Sequence, residues 1–411
     1  MVGVLGARAI AQSGRTAPAP YLIEYSSVPM TRNTALADVV VGTIERGTDW
    51  LTDRWTGDLF VRKSKAGFAA RFGRWLAWDF FVQGYGTTIA HEYGHVTRSE
   101  EVGHPAKVFL GSFNHSFFRA TGGPFTPAES LSVFGGGFEG ANVLSKRVEG
   151  RIYARGRATP GELTSLFMNT VGTELYTLHT LSEDRLSSPD RFFNGGLPGL
   201  PGDPTTYVLN LTAARLSHPA FRLGEATSFF ADIQENGRSI RRGSLINLID
   251  FGFVTGTVGL FRDYMWRGER QVAVRWLTLG SVSFSPGLRY NLTPVGPERQ
   301  VRTRYKAGAG VGLGYVRWSE PLTPGSTRLL GAGGEYQRAI IHGFEPRFGV
   351  DLWRNPDGTT SLRTEAATMF SRSPADRMVL TFAVGAKGRG YLSGYPISGG
   401  PYFNVGAGLR F

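Results

Sequence analysis

Two hydrophobic periods divide the chain. From about Thr34 to Arg270 apolar positions recur at helical spacing, predicting helices over 35–50, 66–83, 87–100, 139–155, 161–184, 205–216, 226–236 and 245–266. Gly122-Gly123-Pro124 and the Gly/Pro-rich run 195–204 punctuate them. One segment departs from this period: in 107–118, Phe109, Phe113 and Phe117 share one strand face, and Ser112, Asn114 and Ser116 the other.

After about Gln271 the period becomes two. Val282, Phe284, Pro286, Leu288 and Tyr290 alternate with small or polar residues, and so do Phe403, Val405, Ala407, Leu409 and Phe411. Between them the pattern predicts strands near 301–318, 328–340, 344–353, 361–371 and 377–389. Turns separate them, notably Asn355-Pro356-Asp357-Gly358, which reads as a hairpin turn and not as a metal-ligand motif. The expected fold class is therefore α+β: a mostly helical domain over 34–270, then an antiparallel barrel of about eight strands over 271–411. Seven strands are read directly. An eighth has to come from 271–279, 107–118 or 21–27.

Strands of this length, apolar on one face and Gly/Ser/Arg on the other, suit a small barrel with lipid outside and glycine inside. The alternating last strand ending on Phe411 resembles the C-terminal strand of bacterial outer-membrane barrel proteins. That resemblance covers about the last 140 residues and implies an outer-membrane location. Residues 1–33 are read as a signal remnant and linker, because Ala9-Ile10-Ala11 fits a small-x-small cleavage site. The expected protein is exported, with a true start upstream of Met1. No long apolar run predicts a spanning helix; the nearest, 244–261, carries Asp250 and three glycines.

Composition narrows the chemistry. With no cysteine, any metal must be held by His, Asp or Glu. The formal charge of +12 favours an anionic neighbour. No nucleic-acid signature is present, so a phosphate-bearing membrane surface is the expected partner.

One constellation points to a reaction: His91-Glu92-Tyr93-Gly94-His95. The i,i+4 spacing sets both imidazoles on one helix face, able to share a metal ion, while Glu92 lies about 100° round the helix, placed to act as general base. Ile89, Tyr93 and Val96 form an apolar stripe behind them. This motif resembles the active-site helix of zincin metallopeptidases. The resemblance covers about fifteen residues and implies Zn2+ held by His91 and His95, with Glu92 as the catalytic base. The metzincin pattern would need Gly and His where Arg98 and Glu101 stand, so the gluzincin arrangement, with a Glu ligand on a later helix, is the one compared. Glu139, after Gly135-Gly136-Gly137 in the first turn of a predicted helix, is the leading third ligand; Glu174 and His104 are the fallbacks.

The expected function is a zinc-dependent hydrolase held at the outer membrane, most naturally a peptidase. Two alternatives stand beside it: a zinc amidase or deacylase acting on lipid or cell wall, and a non-enzymatic barrel protein whose helical domain is an adaptor.

Overall fold

The computed structural model describes residues 21–111, 116–194, 202–219, 221, 223–338, 344–371 and 378–409. The expected signal remnant at 1–11 and the terminal Phe411 lie outside these residues. The chain opens with β1 (Tyr21–Ser26), then α1 (Pro29–Thr56), α2 (Lys65–Arg74), a π-helical turn (Trp75–Asp79) and α3 (Phe80–Glu101). A short hairpin, β2 (Ala106–Phe109) and β3 (Phe117–Ala120), leads to α4 (Pro127–Arg155), β4 (Arg157–Ala158) and α5 (Pro160–Thr180). Helices α6 (Pro189–Asn194), α7 (Asp203–Arg215), α8 (Leu223–Ser228), α9 (Phe230–Ser244) and α10 (Phe251–Val258) follow, and a second π-helical turn (Gly259–Trp266) continues α10.

Past β5 (Val272–Ala273) and β6 (Leu277–Leu279) the chain runs through eight longer strands. These are β7 (Val282–Thr293), β8 (Gly296–Ala307), β9 (Gly310–Ser319), β10 (Leu330–Arg338), β11 (Phe344–Arg354), β12 (Thr360–Phe370), β13 (Met378–Lys387) and β14 (Gly400–Leu409). All pair antiparallel with their sequence neighbours, and β1 adds to β14, giving a ten-stranded sheet in the order β1-β14-β13-β12-β11-β10-β9-β8-β7-β6. Among the described residues no ladder joins β1 to β6, so as a hydrogen-bonded sheet it runs open between those edges.

Three differences from the sequence expectation have local causes. The strand expected over 301–318 is a hairpin, turned at Gly308, whose positive φ of 57° fits the first central position of a tight turn. The segment 21–26, placed in the linker but also named as a candidate eighth strand, is an edge strand in register with β14 from Tyr21↔Leu409 to Ser26↔Asn404. Together with β6 these raise the strand number above the expected eight. Third, α4 begins at Pro127, not near Glu139. Thr126 caps it, with Glu129 completing a capping box, and Gly135-Gly136-Gly137 lies inside the helix. Those glycines do not break the helix; they let α3 approach. A Cβ on Gly136 would sit 2.6 Å from the Gly94 carbonyl oxygen, and one on Gly140 would sit 2.1 Å from that of Ala90.

The sheet is polar inside and apolar outside. Its concave side faces α4. Glu149 of that helix accepts from Arg289 (2.7 Å), Arg302 (2.7 and 2.9 Å) and Arg304 (3.2 Å). Arg147 holds Glu24 of β1 at 3.0 and 3.1 Å, and Lys146 reaches Glu335 of β10 at 3.4 Å. Further along, Arg363 pairs with Asp351 at 2.6 Å and Arg317 with Glu298 at 2.8 Å, all four buried. The outward positions are Val316, Phe348, Leu352, Leu362, Phe382 and their like, each about half exposed. A sheet in water normally buries its apolar face and solvates the other. Here the order is reversed.

Candidate functional site

Helix α3 carries the motif, and its neighbours define the site. The Nε2 atoms of His91 and His95 lie 3.0 Å apart. Asp203 completes a triangle with them: its Oδ2 is 2.9 Å from His91 Nε2 and 3.3 Å from His95 Nε2. These three residues are the group of donors, among the described residues, that could hold a metal ion. His95 is fully buried and its Nδ1 lies 2.7 Å from the Val133 carbonyl oxygen of α4. A carbonyl only accepts, so Nδ1 carries the proton and Nε2 presents its lone pair to the triangle. The ring stacks on Phe118 of β3 at 4.5 Å, which fixes its plane.

Asp203 is the first residue of α7, where the helix dipole favours an anion. Buried Tyr207, Val208 and Leu211 seat that helix in the core. The Tyr176 hydroxyl of α5 accepts the Asp203 backbone N–H at 3.0 Å and donates to Oδ2 at 3.3 Å, so the carboxylate is held from both sides. Burial alone would raise the Asp203 pKa, but the imidazoles of His95 and His91 outweigh it and hold this carboxyl well below the ordinary range. Glu92 is buried beside the triangle and accepts a hydrogen bond from the Phe118 backbone. One hairpin strand thus orients both His95 and Glu92.

Glu139, the expected third ligand, is placed differently. It is buried on α4, and its two oxygens take Arg98 Nε at 2.8 Å, Arg98 Nη2 at 2.6 Å and the Gly394 backbone N–H at 2.6 Å. The cause is the early start of α4: with the helix running through the glycines, Gly137 faces the imidazoles and Glu139 turns toward Arg98. Glu174 accepts from Asn247 at 2.7 Å, and His104 packs against Phe125, so neither fallback joins the triangle. Asp203 was hidden in the sequence. It stands 112 residues after His91, in a Gly/Pro-rich run that reads as a loop. The signal that marks it is Gly202-Asp203-Pro204, an acidic residue and a proline at a helix start.

Comparison of the chain with protein-family models, curated proteins and solved structures gives no match. The resemblance to zincins therefore rests on the motif and this geometry alone.

Proposed function

We propose that the protein is a zinc-dependent hydrolase of the outer membrane, with His91, His95 and Asp203 as metal ligands and Glu92 as general base. The observation that carries this reading is the Nε2–Nε2–Oδ2 triangle, with edges of 3.0, 2.9 and 3.3 Å. Tetrahedral zinc with ligands at about 2.0–2.2 Å needs donor separations of roughly 3.3–3.5 Å, so the donors fit after opening by a few tenths of an ångström. Two nitrogens and one carboxylate oxygen are also a donor set that zinc takes in catalytic sites, where a fourth position is kept open.

When bound, zinc supplies Lewis-acid polarisation of a substrate carbonyl. The chain's residues supply the rest. The Glu92 carboxylate takes a proton from the attacking water as its oxygen bonds to the carbonyl carbon. It returns that proton to the leaving nitrogen as the C–N bond breaks. Tyr176 and the α7 terminus keep Asp203 ionised and aimed. Phe118, Phe134 and Phe138 pack against the imidazoles and fix their orientation.

A peptide amide is the substrate class we favour, with lipid- or cell-wall-linked amides as the second class. The sheet's inverted polarity supports a membrane-embedded position. The discriminating experiment is hydrolysis of a diverse peptide mixture by the wild type and Glu92→Gln. Cleavage by the wild type, reduced by several orders of magnitude in a variant that keeps its metal, fits the proposal. Equal cleavage by both refutes the role of Glu92, and no cleavage of peptides with release from acylated substrates moves the reading to the second class.

A further inference from the structure

Outside the sheet, the helices present the same inverted surface. On α1 the exposed positions between Arg32 and Arg54 include Leu36, Val40, Ile44, Trp50 and Leu51, and the others are Thr43 and Gly47. Four charged residues between 38 and 49 are turned inward or paired. Asp38 is buried on Arg151, Glu45 is buried, Asp49 pairs with Arg74 at 2.6 Å, and Arg46 is half-buried. Arg32 and Arg54 themselves are exposed and stand 22 residues apart, about 33 Å along a helix at ~1.5 Å per residue. The hydrocarbon layer of a bilayer is about 30 Å thick, and arginines at its borders reach outward to phosphate.

The pattern repeats on two further runs. Over 66–81 the exposed large residues are Phe72, Leu76, Trp78 and Phe81, while Arg71 is fully buried on the carbonyls of Met265 and Phe60. Over 243–261 the exposed residues are Leu245, Ile249, Val254 and Phe261, and Asp250 is buried as the cap of α10 and a partner of the Leu288 N–H. Exposed cations, Arg62, Lys63 and Lys65, cluster in the turn below the second run. No single helix among the described residues is apolar enough along its whole length to register as a membrane span. The bent pair Phe230–Ile249 and Phe251–Trp266, which includes the third run, is long and apolar enough when its two parts are taken together.

These helices also form a chain of contacts from the edge strand β1 to β7, the strand beside the other edge. Helix α1 packs on β1, and Trp78 donates to Thr48 of α1 at 2.9 Å. Arg71 of α2 donates to the Met265 carbonyl at 2.8 Å, and α10 packs on β7. The contacts run without a break from one sheet edge round to the other strands.

We infer that α1 and the runs 66–81 and 243–261 face lipid and complete, with the ten strands, one mixed helix-and-strand wall in the bilayer. The occupant of this surface is the acyl layer of the membrane. The inference rests on the sheet being lipid-facing and extends it: the helical half is part of the embedded wall and not a domain tethered beside it. The metal triangle on α3 then lies behind that wall.

The absence of native cysteine makes the test direct. Ile44→Cys on α1, Val350→Cys on the sheet and Lys63→Cys in the cationic turn are spin-labelled in the full chain, reconstituted in phosphatidylethanolamine/phosphatidylglycerol vesicles. Accessibility to oxygen and to a water-soluble nickel chelate is then measured. The oxygen-to-nickel ratio is expected about tenfold higher at both Ile44 and Val350 than at Lys63. A high ratio at Val350 with a water-like ratio at Ile44 overturns this inference and leaves the sheet reading standing. A water-like ratio at Val350 overturns the sheet reading itself. An Ile44 ratio that rises only with the protein-to-lipid ratio assigns the helical face to a second copy, and also overturns the inference.

Discussion

Gly137 and His95 touch: a Cβ built on Gly137 would lie 2.4 Å from the Nε2 of His95. The His91–His95 pair thus depends on the close approach of α4 to α3, with glycine required at the crossing. Gly137→Ala should push the imidazole off the triangle, while the gain in helix propensity, about 1 kcal/mol, offsets part of the strain. We expect metal affinity to fall about ten- to a hundredfold, the scale on which disturbed ligand support acts, with an overpacking cost of roughly 1–3 kcal/mol. Isothermal titration with zinc, beside a thermal melt, separates the two effects.

Glu139 and Arg98 make a buried, bidentate pair that ties α4 to the last turn of α3 and, through Gly394, to the β13–β14 connection. Glu139→Gln leaves Arg98 charged and short of its main partner. Removing one member of such a pair costs roughly 3–5 kcal/mol, so the variant should be strongly destabilised. Its zinc content, measured below the shifted melting temperature, should be unchanged. Loss of zinc in the folded variant would return Glu139 to the ligand set.

Much of this was legible in the sequence, and the rest was hidden for definable reasons. The helix-to-strand change near 271, the HExxH pairing and the Asn355–Gly358 turn follow from local spacing, and each stands in the structure as read. The third ligand did not follow. Asp203 reaches the histidines only through the packing of α7 on α4, which no local pattern encodes. Gly135-Gly136-Gly137 misled for a related reason: glycine both ends helices and lets them touch, and only the partner Gly94 decides between the two. The hairpin at Gly308 was missed because alternation continues across a two-residue turn. Residues 21–26 stood among three candidates for a further strand, and the sequence could not choose them because their partner is the far end of the chain.

The pH dependence of metal binding should come from the imidazoles alone. Asp203, held well below the usual carboxylate range, stays ionised throughout the working range and contributes nothing there. Its depressed pKa stabilises the fold above the unfolded value of about 3.9, and that contribution is lost as acid protonates it. Histidine must be neutral to bind zinc, and although burial opposes it, Asp203 holds the His95 imidazole above its ordinary range, so affinity should begin to fall above the usual imidazole region as pH drops. Titrations in buffers of different ionisation enthalpy should show proton release per zinc that grows as the pH is lowered from about 8. Carboxylate-like release near pH 4 would contradict the assigned state of Asp203.

On the sheet, Val350 is 53% exposed in the middle of β11. If its surroundings are lipid, Val350→Arg should cost about 2–4 kcal/mol in vesicles. If they are water, the substitution should lie within about 0.5 kcal/mol of neutral. Denaturant titration of the refolded protein in vesicles reads the difference.

The zinc site we propose is formed by His91, His95 and Asp203 together. Its most direct test is zinc per chain, by inductively coupled plasma mass spectrometry, in the wild type and in Asp203→Ala after equilibration with buffered zinc. About one zinc in the wild type, falling to near zero in Asp203→Ala, is the result predicted. No stoichiometric zinc in the wild type, or the same content in both proteins, would contradict it.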